Sequence, residues 1–532
     1  MDRRQIYFLV ILALGILIFF FNLGGRDLWE PDETRYAVVA REMAQSGEWV
    51  LPQLNGQIYS EKPPLFFWLV NLSVFFLGEN SELANRLPSA LAGYIIILIT
   101  FLFGERLFNL RAGFFSSLVL ATSLFFPQLS RWMMLDSLFT LFFLLTLFSL
   151  YLGYEKEDRR RRYYLLAGLF TGLAILMKGP VAYLAIVSFL IFAFIQKDVK
   201  KCWNRDLLLG LFLSLAVVLM WLIPACWIGG EDYTKRILFG QTIGRLAGRG
   251  EHFHPESFFF YFIRFPIEFL PWTVFMPIAL FCGLGKGEKR KEFLFLSVWF
   301  FFVFLFFTFS TGKKDNYLLP LYPAAAMMVG WLWDFGLRSE EGRRGFIYGL
   351  VILGLLFFVP LVLFLSGVPQ KLYPVLISYR FLIFSVLCYL AGGSLFSFLF
   401  FLKKRPRAAF ISLVITFSFF HFHIGHVLPS KLNAQKPIKA FSERILKRME
   451  PGDELKTYFF KPNGLSYYTK KRYIEEIRDK DRFSELLHSS QRIFIVMQTK
   501  VLDQLKRDLA IEICPIEQLK IGYRDHVLIS NR

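Results

Sequence analysis

Cysteine is scarce in this chain of 532 residues, and its five cysteines form no CxxC pair. This usage excludes a disulfide framework and a zinc site built on paired cysteines. The first apolar run, which ends near Asn22, is not followed by a small-residue cleavage site, so we expect it to remain as an uncleaved first span. The sequence also lacks a visible internal repeat of the kind found in many transporters.

Apolar residues are abundant: 55% of the chain is hydrophobic and 64 residues are phenylalanine. The mean hydropathy is +0.45. Because an ordinary soluble domain is only about 45–50% apolar, the excess indicates that lipid solvates much of the chain. The formal net charge of +19 could serve nucleic-acid binding, but the basic residues fall between apolar runs, as the positive-inside rule predicts. We therefore expect membrane lipids, and no nucleic acid, as partners.

Loop charge decides how the apolar runs are counted. If the short run 63–77 lies in the membrane interface, the N-terminus and every strongly basic loop fall on one face. This reading predicts about 13 transmembrane helices, a cytoplasmic N-terminus and an extracytoplasmic C-terminus. The predicted spans are 5–22, 88–107, 112–129, 134–152, 163–178, 180–196, 207–228, 267–284, 293–310, 317–336, 345–367, 380–402 and 408–426.

The composition changes after the last span. We expect residues 1–428 to form an α-helical polytopic membrane domain with catalytic loops on the outer face, and residues 429–532 to form a small extracytoplasmic α/β domain. The predicted strands of this domain are Leu455–Phe460, Arg492–Met497 and His526–Ser530, and its predicted helices are Phe483–His488 and Val501–Leu509.

An acidic loop follows the first span and is predicted to lie outside. Glu30, Asp32 and Glu33 place three carboxylates within four positions. Such a site can accept a proton, orient a hydroxyl group or hold a cation. The alternative is a solvated loop whose acids favour the dipole of a helix that starts at Pro31.

Two further charges stand at predicted membrane boundaries. Lys62 lies at the outer end of the interfacial run, where it could bind a lipid phosphate or anchor the helix by snorkelling. Asp136 lies at the outer end of a span, where a carboxylate is costly unless it is paired or faces a polar cavity.

Two outer loops carry cations. Glycines interrupt the arginines of 241–250, a pattern suited to an anion, although an ordinary flexible basic loop has the same composition. His252 and His254 follow with a spacing that is not that of a helical metal-ligand pair. Lys313 and Lys314 break the outward depletion of positive charge, which favours phosphate binding or interfacial anchoring. Carboxylates and cations on one membrane face suit attack on a sugar that is joined to a lipid phosphate.

The ordered set of motifs resembles the GT-C membrane glycosyltransferases, specifically the bacterial aminoarabinose transferases that modify lipid A and their protein O-mannosyltransferase relatives. The resemblance covers about residues 25 to 325. The matching stretches are Glu30–Tyr36, Glu61–Leu65, Arg86–Ser89, Arg131–Asp136, Lys178–Pro180, Gly244–Gly248 and Lys314–Pro323.

The resemblance implies an enzyme of the bacterial inner membrane that moves a sugar from undecaprenyl phosphate to an acceptor by one inverting displacement. Lipid A or a related glycolipid is the expected acceptor, while protein or a surface polysaccharide is the alternative. A lipid-linked sugar flippase is a candidate of a different class. It would need ionisable residues near mid-membrane, for which Asp136 and Lys178 are the candidates, and both are predicted at span ends. Asp32 would be the principal catalytic carboxylate and Asp136 the second catalytic acid. The implied substrate-binding residues are Lys62, Arg245, Tyr317, Arg35, Glu61 and Glu33.

One departure from the family pattern concerns metals. Aminoarabinose transferases often carry an acidic residue and a histidine shortly before the arginine that matches Arg245, where this chain has Gln241 and Thr242. The substitution disfavours a divalent metal held together with Glu61. We therefore expect no metal site, and the resemblance requires no other cofactor.

Overall fold

The computed structural model describes residues 1–79, 81–238, 256–285, 289–335, 340–367, 377, 379–509, 513–522 and 524–532. Contacts divide the chain into two compact units. The helical unit comprises Met1–Asn22, Glu61–Phe66 and Leu87–His426, and the mixed unit comprises Leu23–Ser60, Phe67–Arg86 and Val427–Arg532. The predicted boundary after residue 428 stays a prediction.

Long apolar helices make up most of the chain up to residue 435. Within the described ranges, eight helices are long and apolar enough to cross a membrane. The α-helices of this region are Arg3–Phe20, Asp32–Ser46, Leu65–Leu77, Glu82–Leu107, Leu110–Ala121, Phe125–Ser130, Leu135–Glu155, Arg160–Lys178, Leu184–Ile195, Val199–Cys202, Arg205–Lys235, Phe260–Glu268, Met276–Leu284, Arg290–Phe309, Tyr322–Phe335, Glu340–Leu365, Arg380–Leu402 and Pro406–Gln435.

The predicted span 267–284 is broken rather than straight. Phe260–Glu268 and Trp272–Leu284 meet at an angle of 106°. Pro271 lies at the break and has no backbone N–H to continue a helix. If this pair is one span, the described residues contain up to nine candidate spans. The predicted total of about 13 stays a prediction, because several of the remaining helices are shorter than a full crossing.

Exposed apolar side chains indicate that lipid surrounds the helical unit. On helix Arg205–Lys235, Phe212, Met220 and Trp227 are 70%, 80% and 87% exposed. Three large apolar side chains on one helix are unfavourable in water and suit the hydrocarbon core of a bilayer. The chain is a polytopic membrane protein, as predicted.

Close helix packing in this unit depends on glycine. Helices Arg160–Lys178 and Arg205–Lys235 touch where Gly168 faces Gly210. A Cβ atom on Gly168 would lie 2.0 Å from the carbonyl oxygen of Gly210, far inside van der Waals contact. Small residues let two backbones approach in this way inside a membrane, where dispersion replaces the hydrophobic effect as the packing force.

The mixed unit contains a five-stranded sheet. Its strands are β3 Glu454–Tyr458, β4 Glu476–Ile477, β5 Ile493–Gln498, β6 Glu517–Ile521 and β7 Arg524–Ser530, after a short hairpin of β1 Gln53–Leu54 and β2 Gln57–Ile58. The strand order is β4-β3-β5-β7-β6. β3 pairs in parallel with β4 and β5, and β7 pairs antiparallel with β5 and β6.

Both faces of this sheet are covered, because β5 is buried along nearly its whole length. Ile493, Ile495 and Met497 pack with helices Lys480–Leu487 and Thr499–Leu509. Phe494 and Val496 point to the opposite core, which contains side chains of two further helices. Those helices are Ile438–Arg448 and Asn463–Thr469.

All three predicted strands and both predicted helices of the tail are present, with ends displaced by at most three residues. The sequence reading missed β4, β6 and the two helices on the second face. The predicted α/β fold of this region is therefore confirmed. The run 63–77, which is predicted to lie in the interface, contains a helix of 13 residues, Leu65–Leu77.

Candidate functional site

The acidic loop leads into helix Asp32–Ser46 of the mixed unit. Pro31 stands at the N-cap, and Asp32 and Glu33 lie in the first turn. Negative charge at this end of a helix is favoured by the helix dipole. The local structure thus explains why acids cluster here, and contacts separate the roles of the individual carboxylates.

Glu33 is a structural carboxylate. Its side chain is fully buried and forms ion pairs of 2.8 Å with Arg26 and with Arg86. The backbone N–H of Trp29 donates to its second oxygen at 2.9 Å. Burial lowers the pKa of Arg26 to about 10, an effect that Glu33 opposes, so Arg26 remains a cation at neutral pH. These contacts favour a positioning role for Glu33, and its implied substrate contact stays a prediction.

Two other carboxylates near the loop bind backbone groups. Glu30 accepts a hydrogen bond from the N–H of Gly464 at 2.9 Å. Glu42 accepts from the N–H groups of Asn55 and Gly56 at 2.7 Å and 3.0 Å. Burial raises the pKa of both Glu30 and Glu42. These side chains tie separate segments of the mixed unit together.

Asp32 differs from these neighbours. Its side chain is 22% exposed, compared with 1% for Glu33, and its Oδ1 atom lies 2.5 Å from Nη2 of Arg35. The Arg35 guanidinium in turn lies 5.3 Å and 6.0 Å from the ring centroids of Tyr36 and Tyr59. Asp32 is therefore an accessible carboxylate held by an orienting cation, which suits proton acceptance or the positioning of a polar group.

A second polar cluster lies in the helical unit around Asp136, which is 3% exposed. The side-chain amide of Asn316 donates to Oδ2 of Asp136 at 2.8 Å, and Nζ of Lys178 forms an ion pair with Oδ1 of Asp136. Nζ of Lys178 also lies 4.5 Å from the ring centroid of Tyr317. Asp136, Lys178, Asn316 and Tyr317 together form what we call the Asp136 cluster.

Helix ends assemble this cluster. Asp136 lies in the first turn of Leu135–Glu155, and Lys178 is the last residue of Arg160–Lys178. Asn316 and Tyr317 lie in the 3₁₀ helix Asp315–Leu321. The expectation that a buried carboxylate at this depth needs a partner is met by Lys178 and Asn316.

The remaining predicted site residues fall elsewhere. Glu61 and Lys62 lie in the bend before helix Leu65–Leu77, belong to the helical unit and are half-buried. Lys313 is buried and donates to the carbonyl of Glu256 at 3.3 Å. Arg245, like His252 and His254, lies outside the described residues. The phosphate-binding roles of Lys62, Arg245 and Lys313 stay predictions.

Four polar residues of these clusters were not predicted as part of a transferase site: Arg26, Arg86, Lys178 and Asn316. Arg86, Lys178 and Asn316 stand in stretches that match the family, so a signal existed for them. Another such stretch contains Arg131, whose guanidinium donates to the carbonyls of Ile18 and Phe21, both at 2.6 Å. Arg131 thereby satisfies carbonyl groups at the end of the first helix.

In the described part of the chain, no three histidine, cysteine, aspartate or glutamate side chains gather as a metal site would require. Gln241 and Thr242 lie outside that part. The expectation that no metal is held beside Glu61 therefore stays a prediction.

These features define a polytopic membrane protein with a covered α/β unit and two polar clusters near helix ends. A family model described as dolichyl-phosphate-mannose-protein mannosyltransferase matches residues 61–225. The crystal structure of ArnT from Cupriavidus metallidurans bound to undecaprenyl phosphate has a TM-score of 0.81 to this chain, with 20% identity and 98% of each chain covered. That likeness shows the fold.

Sequence relatives agree with the structural match. An undecaprenyl phosphate-alpha-4-amino-4-deoxy-L-arabinose arabinosyl transferase of Pectobacterium carotovorum is 32% identical over 335 residues, and the match covers 61% of this chain and 58% of the relative. An uncharacterized protein of Aquifex aeolicus is 28% identical over 477 residues, which covers 89% of this chain and 88% of the relative. The chain thus spans less than two thirds of the Pectobacterium protein. Together the comparisons confirm the predicted resemblance to GT-C membrane proteins of the aminoarabinose-transferase-like kind.

Proposed function

We propose that this chain is an inverting glycosyltransferase that moves a sugar from undecaprenyl phosphate to an acceptor at the outer face of the bacterial inner membrane. The acceptor is lipid A or a related glycolipid. The observation that carries the proposal is Asp32: it is partly exposed, it is oriented by Arg35, and it begins the next helix after the first span. The arabinosyl transferase relatives and the fold of ArnT support the donor class.

In the proposed reaction an acceptor oxygen attacks the anomeric carbon while the bond from that carbon to the phosphate oxygen breaks. The lipid phosphate leaves with the electron pair of that bond. If the acceptor is a hydroxyl group, Asp32 receives its proton; if it is a phosphate, which is already anionic, Asp32 orients it instead. Cations stabilise the charge that grows on the departing phosphate. We assign that role to Lys62 and Arg245, with Tyr317 as a further phosphate contact.

Further assignments belong to the same proposal. Asp136 acts as the second acid, Arg35 and Glu61 line the substrate site, and Glu33 positions the loop. The N-terminus is cytoplasmic, residues 429–532 lie outside as a separate domain, and residues 63–77 lie in the interface. Asp136 and Lys178, the two candidate ionisable residues for a flippase, pair with each other at helix ends, which favours a transfer site over a transport path.

The test combines a reconstituted and a cellular measurement. The purified protein is supplied with undecaprenyl phosphate that carries a labelled sugar, and with a lipid A acceptor. The products are identified by mass spectrometry. Lipids, proteins and glycans are also compared in cells with and without the gene. We expect the labelled sugar on a glycolipid. Finding the labelled sugar on a protein would assign the chain to the mannosyltransferase branch, which the family-model match supports. Translocation of the lipid-linked sugar without transfer would overturn the proposal.

A further inference from the structure

The mixed unit contains a cavity of about 380 Å³ next to the acidic loop. Its wall includes Trp29 and Glu30 from the loop and side chains that follow the last span or belong to the sheet. The volume lies in the range of small-molecule sites, about 300–1,000 Å³. The cavity is distinct from Asp32 and from the Asp136 cluster, so neither proposed catalytic group accounts for it.

The charged groups of the cavity favour an anion. Lys436, Lys461 and Arg524 line it, and Glu30 is the carboxylate among its lining residues. Lys461 and Arg524 are exposed, whereas Lys436 is half-buried. Burial lowers the pKa of His526, so this imidazole is neutral at pH 7. Three cations against one carboxylate leave the cavity with a net positive charge.

Aromatic rings provide the second part of the site. Nζ of Lys436 lies 3.9 Å from the ring centroid of Trp29, and the rings of Phe460 and His526 meet edge to face at 5.1 Å. Rings of this kind offer flat apolar surfaces, while the ammonium and guanidinium groups offer phosphate donors. A ligand with a ring and a phosphate contacts both the aromatic rings and the cations, whereas inorganic phosphate contacts only the cations.

The position of the cavity connects it with the proposed reaction. Glu30 and Asp32 are two residues apart, so their Cα atoms are separated by at most about 7 Å. The cavity wall and the proposed catalytic residue are therefore parts of one short chain segment, within the same unit of the structure.

We propose that this cavity binds the phosphorylated sugar headgroup of the acceptor and presents it to Asp32. The inference rests on the proposed function for its acceptor, although binding itself can be measured without transfer. The shared chemistry is a sugar phosphate, and its source is either a lipid headgroup or a free sugar phosphate. Lys461 and Arg524 bind the phosphate at the mouth, and the aromatic wall contacts the sugar ring.

The binding experiment uses the full chain in detergent, without donor. Glucose 1-phosphate is the charged probe and glucose is its uncharged counterpart, with affinity measured by calorimetry at low and at high salt. We expect glucose 1-phosphate to bind more tightly than glucose and to weaken as salt screens the cations. The double variant Lys461→Ala/Arg524→Ala is expected to lose about tenfold or more in affinity, since two charge-assisted contacts are removed.

A matched control removes the same charges elsewhere in the mixed unit. Lys500 and Arg507 are exposed on helix Thr499–Leu509, so Lys500→Ala/Arg507→Ala should keep the affinity of the unmodified protein. Glu30→Gln should bind the phosphate probe more tightly, because a negative charge leaves the cavity wall. This gain is a readout that misfolding does not produce. Equal loss in both double variants, or unchanged affinity in Lys461→Ala/Arg524→Ala, would overturn the site.

The source of the phosphate is decided with vesicles. One set contains a phosphorylated glucosamine-disaccharide lipid, and the matched set contains the same lipid after phosphatase treatment. We expect the unmodified reconstituted protein to transfer sugar to the phosphorylated lipid. In Lys461→Ala/Arg524→Ala the KM for that lipid should rise about tenfold or more, while kcat stays within about twofold. Loss of glucose 1-phosphate binding with unchanged KM would assign the cavity to a free sugar phosphate and overturn its acceptor role. Absence of transfer by the unmodified protein would instead count against the proposed function, and the binding result would stand separately.

Discussion

Arg86 binds Glu33 with two parallel hydrogen bonds, Nε to Oε1 at 2.8 Å and Nη2 to Oε2 at 3.0 Å, and each side chain is 1% exposed. The same guanidinium donates to the carbonyls of Arg26 and Asp27 at 2.5 Å and 2.9 Å. A loop that carries three acids is therefore held by a buried arginine rather than by the solvation of its charges.

We predict that Arg86→Met destabilises the protein by about 3–5 kcal/mol, since it leaves the buried Glu33 with one cation fewer and unsatisfied carbonyls. The measurement is the melting temperature of the purified protein in detergent. Arg448→Met, on an exposed arginine of the same unit, is the control and should cost less than about 1 kcal/mol. Equal melting temperatures for the two variants would contradict the structural role of Arg86.

Asp32→Asn should separate catalysis from stability. The amide keeps the size of the side chain but loses the charge that receives a proton or orients the acceptor, so we expect transfer to fall by about 10² to 10⁴-fold. Because the Asp32 side chain is 22% exposed, the melting temperature should change little. Glu33→Gln should instead lower the melting temperature more than Asp32→Asn does, and it should reduce transfer less. Full transfer by Asp32→Asn would remove Asp32 from its proposed role.

The Asp136 cluster should behave as a coupled pair. Lys178→Met leaves a buried carboxylate without its cation and should cost about 3–5 kcal/mol, whereas the double variant Asp136→Asn/Lys178→Met should recover part of that loss. Asn316→Ala removes one neutral donor and should cost about 1–3 kcal/mol. A double-mutant cycle on melting temperatures measures the coupling. Strictly additive losses would show that the ion pair contributes nothing to stability.

The sequence located the acidic loop but did not distinguish its carboxylates. Asp32 and Glu33 are adjacent and carry the same charge, so local sequence does not separate their roles. Glu33 is buried and structural because it pairs with Arg86, which is 53 residues from Glu33 in the chain. The pairing of Asp136 with Asn316 spans 180 residues. Local patterns carry no information about such separations, so the positions of candidate acids were predictable and their partners were not.

The secondary structure was easier to predict than its packing. Among the described residues, apolar runs and alternation located every long apolar helix and three of the five strands of the tail, because burial in lipid or in a two-sided core requires those patterns. The short strand β4 and the edge strand β6, with alternating half-buried and exposed residues, carry weak apolar signals and were missed. The assignment of Leu23–Ser60 to the same unit as the tail also depends on tertiary contacts alone.

Helix Leu65–Leu77 gives a direct test of topology. Its 13 residues span about 20 Å at 1.5 Å per residue, which is less than the hydrocarbon core of about 30 Å. We therefore expect a reporter fused after Leu77 to lie outside the cytoplasm. A fusion within Lys403–Arg407, a basic loop, is the matched control and should report the cytoplasm. A cytoplasmic signal after Leu77 would reverse the proposed orientation of every later loop.

Glu30 should make stability depend on pH in the acidic range. Burial raises the pKa of this carboxyl group, although the hydrogen bond from Gly464 and the charges of Lys436 and Lys461 oppose the shift. The folded protein therefore binds more protons than the unfolded chain between the ordinary pKa of the group and its raised value. Its contribution to stability is fully present below that window and decreases as pH rises through it.

We expect Glu30→Gln to remove this dependence, because the amide keeps an acceptor for the N–H of Gly464 but does not ionise. Melting temperatures of the two proteins should agree near pH 4 and should diverge above the window, where the variant is the more stable. Glu485→Gln, on an exposed glutamate of the same unit, is the control and should leave no comparable difference. A Glu30→Gln protein that is less stable at pH 7.5 would mean that the ionised carboxylate, with Lys436 and Lys461, contributes more to the fold than its burial costs.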